Sequence, residues 1–295
     1  MKRAVAALAG GAVTALVAGV WAGQQRPAAA TGQPDRATGD VDSPPQSWER
    51  TNYRGRTVSL SGGIAAAAGT TATAATGGGT VRTASAAALA TAGAAAFGLV
   101  DDRDPDPGTA RGLRGHLRAL AHGQITTGTL KLFGIPALSL VAAAVMDREG
   151  RPIGSSLIRR GLDVLTSGAL IAGTANLINL FDLRPGRALK ATTVIAAPLA
   201  VLPGPAGRLG AGACGVVAAA WADDLGERTM LGDTGANALG ALVGTGLALV
   251  PSAAVRAGAL TGVVALIVLS EKVSFSAVID RTPLAHAADR WGRLP

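Results

Sequence analysis

TASAAALATAGAAAFGLVDDRD, residues 83–104, runs without a charge as far as Val100 and then places three aspartates and an arginine in four positions. The uncharged part is close to the roughly 20 residues needed to cross a bilayer core. The same pattern recurs along the chain. Apolar windows fall at 4–22, 62–80, 83–100, 130–146, 161–179, 189–203, 208–222, 236–250 and 254–270. A buried helix of a soluble core explains any one of them, but nine in succession leave no polar faces to build a soluble surface. Of the 295 residues, 48% are hydrophobic and 16% charged, whereas soluble domains carry about 25% charged residues. The sequence therefore predicts an all-α fold: one polytopic integral membrane helix bundle over 1–295, with about nine to ten transmembrane helices. Alanine and glycine contribute little transfer energy but let helices approach closely, so these segments read as packed bundle helices rather than lone anchors.

Within that frame, 4–22 is the first helix, 23–61 a flexible loop rich in Pro, Gly, Asp and Arg, and 271–295 an amphipathic tail. Lys2-Arg3 before the first apolar run also fits a cleaved signal peptide, although the run is longer than the usual signal core. With the N-terminus outside, segments 23–61, 101–129, 180–188, 223–235 and the tail become cytoplasmic. Together with Lys190 they hold the larger share of the 27 basic residues. That bias predicts a multi-pass plasma-membrane protein with the DDRD run in the cytoplasm. The net charge of +8 comes from loop arginines; no basic face interleaved with aromatics points to nucleic acid, and anionic membrane lipids are the expected partner. The single Cys214 excludes a disulfide framework or a thiolate metal site.

Three polar clusters then stand out at predicted helix ends on one side: Asp101-Asp102-Arg103-Asp104, the face made by Asn176, Asn179 and Asp182, and Gly232-Asp233-Thr234-Gly235 with Asn237. Each has a bland account. The first is a solvated loop, the second a helix face for interhelical hydrogen bonds, the third a helix start capped by its own Asp233 or Thr234. Ionisable groups at membrane depth are usually functional, and three clusters at one face point to a polar site fed by three helices.

These motifs, in this order, resemble the polyprenyl-phosphate sugar-1-phosphate transferases of the MraY/WecA type (glycosyltransferase family 4). FGLVDDRDP is similar to the family's Asp-Asp segment, NLINLFD to its Asn-x-x-Asn-x-x-Asp segment and LGDTGANALG to its Gly-Asp-Thr-Gly segment, while Ser61-Gly62-Gly63-Ile64 resembles the entry to its second helix. The likeness covers about 62–270. It implies transfer of a sugar-1-phosphate from a UDP-sugar, of the UDP-N-acetylhexosamine class, to polyprenyl phosphate, with release of UMP, in cell-envelope glycan synthesis. It also implies a Mg²⁺ cofactor held by Asp233 and Asp102, with Asp101, Asp102 and Asp182 as catalytic carboxylates and Asn176 and Asn179 orienting substrate. The oligomeric state is open, with room for a homodimer.

The chain also departs from that pattern. After Asp182 it reads Leu183-Arg184-Pro185-Gly186-Arg187 in place of Gly-x-Asp-Gly, and Pro105 stands where the family has a basic residue. Arg184 and Arg187 are suited to phosphate by forked donation and are counted as substrate-binding candidates. The family's histidine-rich loop before the last helix is missing: the only histidines are His116, His122 and His286. The alternative is a non-catalytic relative, a membrane scaffold or lipid-phosphate binder in envelope assembly. A transporter is weaker, because no paired inverted repeat is visible.

Overall fold

The computed structural model describes residues 1–24, 48–104, 112–147 and 156–295. Its helices are α1 (Lys2–Gln24), α2 (Ser61–Gly77), α3 (Val81–Asp102), α4 (Gly112–Ala121), α5 (Thr127–Val145), α6 (Leu157–Phe181), α7 (Arg187–Ala200), α8 (Gly204–Leu225), α9 (Gly232–Ala248), α10 (Ala253–Ser270), α11 (Phe275–Arg281) and α12 (Pro283–Arg290). The only strands among the described residues form one antiparallel hairpin, β1 (Glu49–Thr51) with β2 (Thr57–Ser59), in which Arg50 faces Val58.

Side-chain caps start several of these helices. The hydroxyls of Thr80, Thr126, Ser156 and Ser252 each accept a bond from the amide three residues on, opening α3, α5, α6 and α10. Small residues then set the packing. At Gly215 of α8 an added Cβ would stand 2.1 Å from the carbonyl oxygen of Ala7, so only glycine lets α1 lie directly on α8. At the centre, α9 is buried along almost its whole length, enclosed chiefly by α2, α3, α6 and α8.

All nine predicted windows overlap a helix, and the fold is almost entirely α. Five helices are long and apolar enough to cross a membrane: α1, α3, α5, α6 and α10. The others fall short for visible reasons. α2 and α9 have 17 residues and α7 has 14, below the roughly 20 of a full span, and α8 is made less apolar by Pro205, Arg208, Asp223, Asp224 and its glycines. Of the expected nine to ten spans, five thus have a helix long and apolar enough to cross a membrane.

The ends of the long helices nearest the three sequence clusters gather at one pole of the bundle, joined by contacts among α3, α5, α9, the hairpin and the C-terminal segment. One expectation needs correcting there. Of the flexible loop read over 23–61, residues 25–47 lie outside the described residues, but 48–60 is ordered hairpin. Asn52 Oδ1 accepts from the amides of Arg54 and Arg56 and closes its turn. The tail from 271 forms two short helices, α11 and α12, docked on the bundle. The positions of Pro105, Arg148 and Arg151 lie outside the described residues.

Candidate functional site

Asp101 and Asp102 end α3, and they face different ways. Asp102 turns onto the first turn of α9. Its Oδ1 accepts from Asp233 N at 2.9 Å, and its Oδ2 accepts from Thr234 N at 2.8 Å and Thr234 Oγ1 at 2.6 Å. The free amides of α9 are therefore capped from another helix, and neither Asp233 nor Thr234 caps its own. Gly232 makes this contact possible: its φ is +58°, and a Cβ there would lie 2.9 Å from both Asp102 oxygens.

Asp101 meets Lys131, one turn into α5. The Lys131 ammonium donates to Asp101 Oδ2 at 2.6 Å and also to Asp233 Oδ2. One cation thus joins carboxylates from α3 and α9. The three side chains stay 21–24% exposed, so the cluster is reachable from outside. Asn237 Nδ2 donates to the Asp233 carbonyl at 2.7 Å, holding the turn in place. Lys131 did not figure among the sequence candidates, although a lysine inside an otherwise uncharged apolar run is a signal in its own right.

A groove of about 490 Å³ opens beside this cluster and meets it at Lys131. Its polar floor includes Lys131, Asn176, Asn179 and Asn237, and its walls are mostly apolar, with Leu132, Ile135 and Ile267 among them. The outer wall is α10, which packs mainly on α6 and has a single buried residue, Val263. Of the three residues read as one face, Asn176 and Asn179 share this floor and Asp182 does not line it.

Asp182 caps the end of α6 and faces a second, polar pocket of about 210 Å³ between the hairpin, the 182–187 turn and the α8–α9 connection. Its Oδ2 is shielded from solvent and has no hydrogen-bond partner, although the residue as a whole is only partly buried. Asp224 and Glu227 line the same pocket. Glu227 is a non-glycine residue at φ +52°, its side chain buried and bonded by Asn52 Nδ2 at 2.8 Å. Burial first, and then the negative charges of Asp224, Asp233 and Asp102, hold the Asp182 carboxyl well above the ordinary carboxylate range.

That shift has a sign. The folded chain keeps a proton on Asp182 that the unfolded chain, titrating near 3.8, has already released. The stability it contributes is full below that value and is lost as pH rises through the raised folded value. Wild-type protein is expected to lose thermal stability across this window, and Asp182→Asn, which cannot ionise, to lose less. Parallel pH profiles for the two proteins would show that the carboxyl does not carry this burden.

Arg184 and Arg187 have partners of their own. Arg187 is 4% exposed in its side chain and makes a two-pronged bond to Asp289, Nε to Oδ1 at 2.8 Å and Nη2 to Oδ2 at 2.9 Å. Arg184 pairs with Asp280 at 3.3 Å and lies 5.1 Å from the Tyr53 ring centroid. Arg184 lines the polar pocket; Arg187 is committed to the C-terminal segment, and its fork is not offered to a ligand.

Could this site hold magnesium? Among the described residues no group of three or more His, Cys, Asp or Glu side chains is placed to cage a metal ion. Mg²⁺ commonly uses one or two carboxylates and completes its shell with water and substrate phosphates. Asp101 and Asp233 supply two, from separate helices, at a point that already attracts a cation. Asp102 is a poorer ligand, because both of its oxygens are engaged by α9. The chain matches no protein-family model and no curated protein.

Proposed function

We propose that this protein is a membrane transferase that moves a sugar-1-phosphate from a UDP-sugar, of the UDP-N-acetylhexosamine class, onto polyprenyl phosphate and releases UMP. The observation that carries this reading is that Lys131, which bonds Asp101 and Asp233 from two other helices, also lines the floor of a groove with apolar walls. An amphiphile with a phosphate head and a hydrocarbon tail matches that combination, with the head at the charged floor and the tail along α10 and α5. The polar pocket beside Asp182 would take the water-soluble donor.

In the reaction, an oxygen of the lipid phosphate forms a bond to the β-phosphorus of the UDP-sugar. The bond from that phosphorus to the bridging oxygen breaks, and UMP leaves with the electron pair. The attacking phosphate is already ionised, so a general base is not required. Lys131 lies where negative charge must gather and offsets it by charge-assisted hydrogen bonds. Asp102 fixes the α9 terminus, whose amide end favours anions. Magnesium held by Asp233 and Asp101 would neutralise the two phosphates and the leaving oxygen.

In this reading the helices of all nine predicted windows, the shorter ones included, lie within the membrane, the site faces the cytoplasm as the arginine bias implies, and anionic lipids bind the basic loops. A second reading, a non-catalytic lipid-phosphate binder, gains from one observation: the Lys131 ammonium already occupies the point between the two carboxylates. One assay separates them. Purified protein with polyprenyl phosphate, Mg²⁺ and a panel of UDP-sugars is expected to release UMP. Binding of polyprenyl phosphate with no UMP from any donor would select the binder.

A further inference from the structure

The C-terminal segment holds the chain on both sides of Asp182. Phe275, which opens α11, stacks on Phe181, the residue before Asp182, with ring centroids 5.0 Å apart and planes at 11°. On the other side, Asp280 holds Arg184, Ser276 Oγ accepts from Arg187 Nη1 at 2.8 Å, and Asp289 takes both prongs of Arg187. Arg293 bonds the same Asp289 carboxylate and donates to the carbonyl of Pro185 at 2.7 Å. Lys190 closes the knot on the carbonyls of Asp289 and Trp291, both at 2.7 Å. Trp291 lies against Trp221 of α8, with centroids 5.6 Å apart.

One carboxylate stands at the centre of these contacts. Asp289 is 6% exposed, and burial alone would raise its pKa. The bonds and charges of Arg187 and Arg293 outweigh burial and hold it below the ordinary range. Without Asp289, Arg187 would be a buried cation with no counter-charge, an arrangement proteins avoid by moving the chain. The chain that would move is the 182–187 turn, because Arg187 ends it and Pro185 lies within it.

We propose that Asp289 is a positioning residue for Asp182, so that the C-terminal segment braces from behind the 182–185 wall of the polar pocket. The inference deepens the donor-pocket reading and rests on it for its functional arm. It also gives Arg187 a role other than phosphate binding: the arginine transmits the hold of Asp289 to the turn.

The test uses the full chain with Asp289→Asn, Asp289→Glu and Arg293→Ala, and the exposed Arg281→Ala as control. Two quantities are read. One is independent of any activity: the rate at which a hydrophobic carbodiimide modifies Asp182, followed by mass spectrometry. The other is the split between KM for the UDP-sugar, KM for polyprenyl phosphate and kcat. Asp289→Asn is expected to change Asp182 modification by about tenfold and to raise donor KM by about tenfold, with acceptor KM and kcat within about twofold, the signature of lost ground-state binding. Asp289→Glu should recover part of both, and Arg293→Ala should shift both in the same direction by about threefold. Arg293→Ala keeps the test open if Asp289→Asn does not fold. Unchanged Asp182 reactivity in the folded variants overturns the proposal. Altered reactivity with donor KM unmoved, in a protein that turns over UDP-sugar, overturns the functional arm and leaves Asp289 a structural support of the turn. If wild-type protein turns over no UDP-sugar, the donor reading fails, and the carbodiimide arm alone still decides whether Asp289 positions Asp182.

Discussion

Asp233→Asn is expected to abolish Mg²⁺-dependent UMP release, by about a thousandfold or more, while thermal stability stays near wild type. Asparagine keeps the size of the side chain and removes its charge. It does not disturb the start of α9, because that helix is capped by Asp102 and not by Asp233. Lys131 would retain Asp101 as a partner. A companion measurement of Mn²⁺ binding by the protein without substrate should show the site weakened in the variant. Asp102→Asn serves as the contrast. Its amide nitrogen cannot accept, so part of a three-donor cap is lost, and destabilisation of about 1–3 kcal/mol follows from the unpaired buried donors. Activity persisting in Asp233→Asn would remove Asp233 from the reaction.

Lys131→Met is expected to cost about 3–5 kcal/mol, the usual penalty for taking one partner from a largely buried ionic group. The methionine fills the space, but the carboxylates of Asp101 and Asp233 are left facing one another with no cation between them. Combining it with Asp101→Asn should restore most of the stability, since one of the two charges is then gone. Mg²⁺ should raise the melting temperature of Lys131→Met more than that of wild type if a metal ion and the ammonium compete for the same carboxylates. Equal magnesium responses would argue that the two cations have separate places.

Much of this was legible in the sequence because it is local. Apolar runs near bilayer length report helices directly, and each of the nine predicted windows overlaps one. The three-residue spacing of Asn176 and Asn179 put them on one groove floor. What escaped was long-range. A helix start reading Gly-Asp-Thr-Gly suggests a cap from its own residues, yet the cap comes from Asp102, 131 positions earlier. Arg187 looked free for phosphate because Asp289 is 102 residues away. The hairpin at 48–60 has strands of three residues, too short for an alternating pattern to register. Lys131 is different: its place in an apolar run was visible, and treating that run only as a span hid it.

The contrast between α9 and α10 carries a mechanical consequence. The groove has a stiff floor and a compliant outer wall. α9 is enclosed by protein along its length, so displacing it would break packing on every side, whereas α10 buries one residue and leans mainly on α6. Local opening starts where the fewest buried contacts must be broken. In the proposed reading a lipid would therefore exchange sideways past α10 while Asp101, Lys131 and Asp233 keep their spacing, and traffic through the groove would be decoupled from the alignment of the charges beside it.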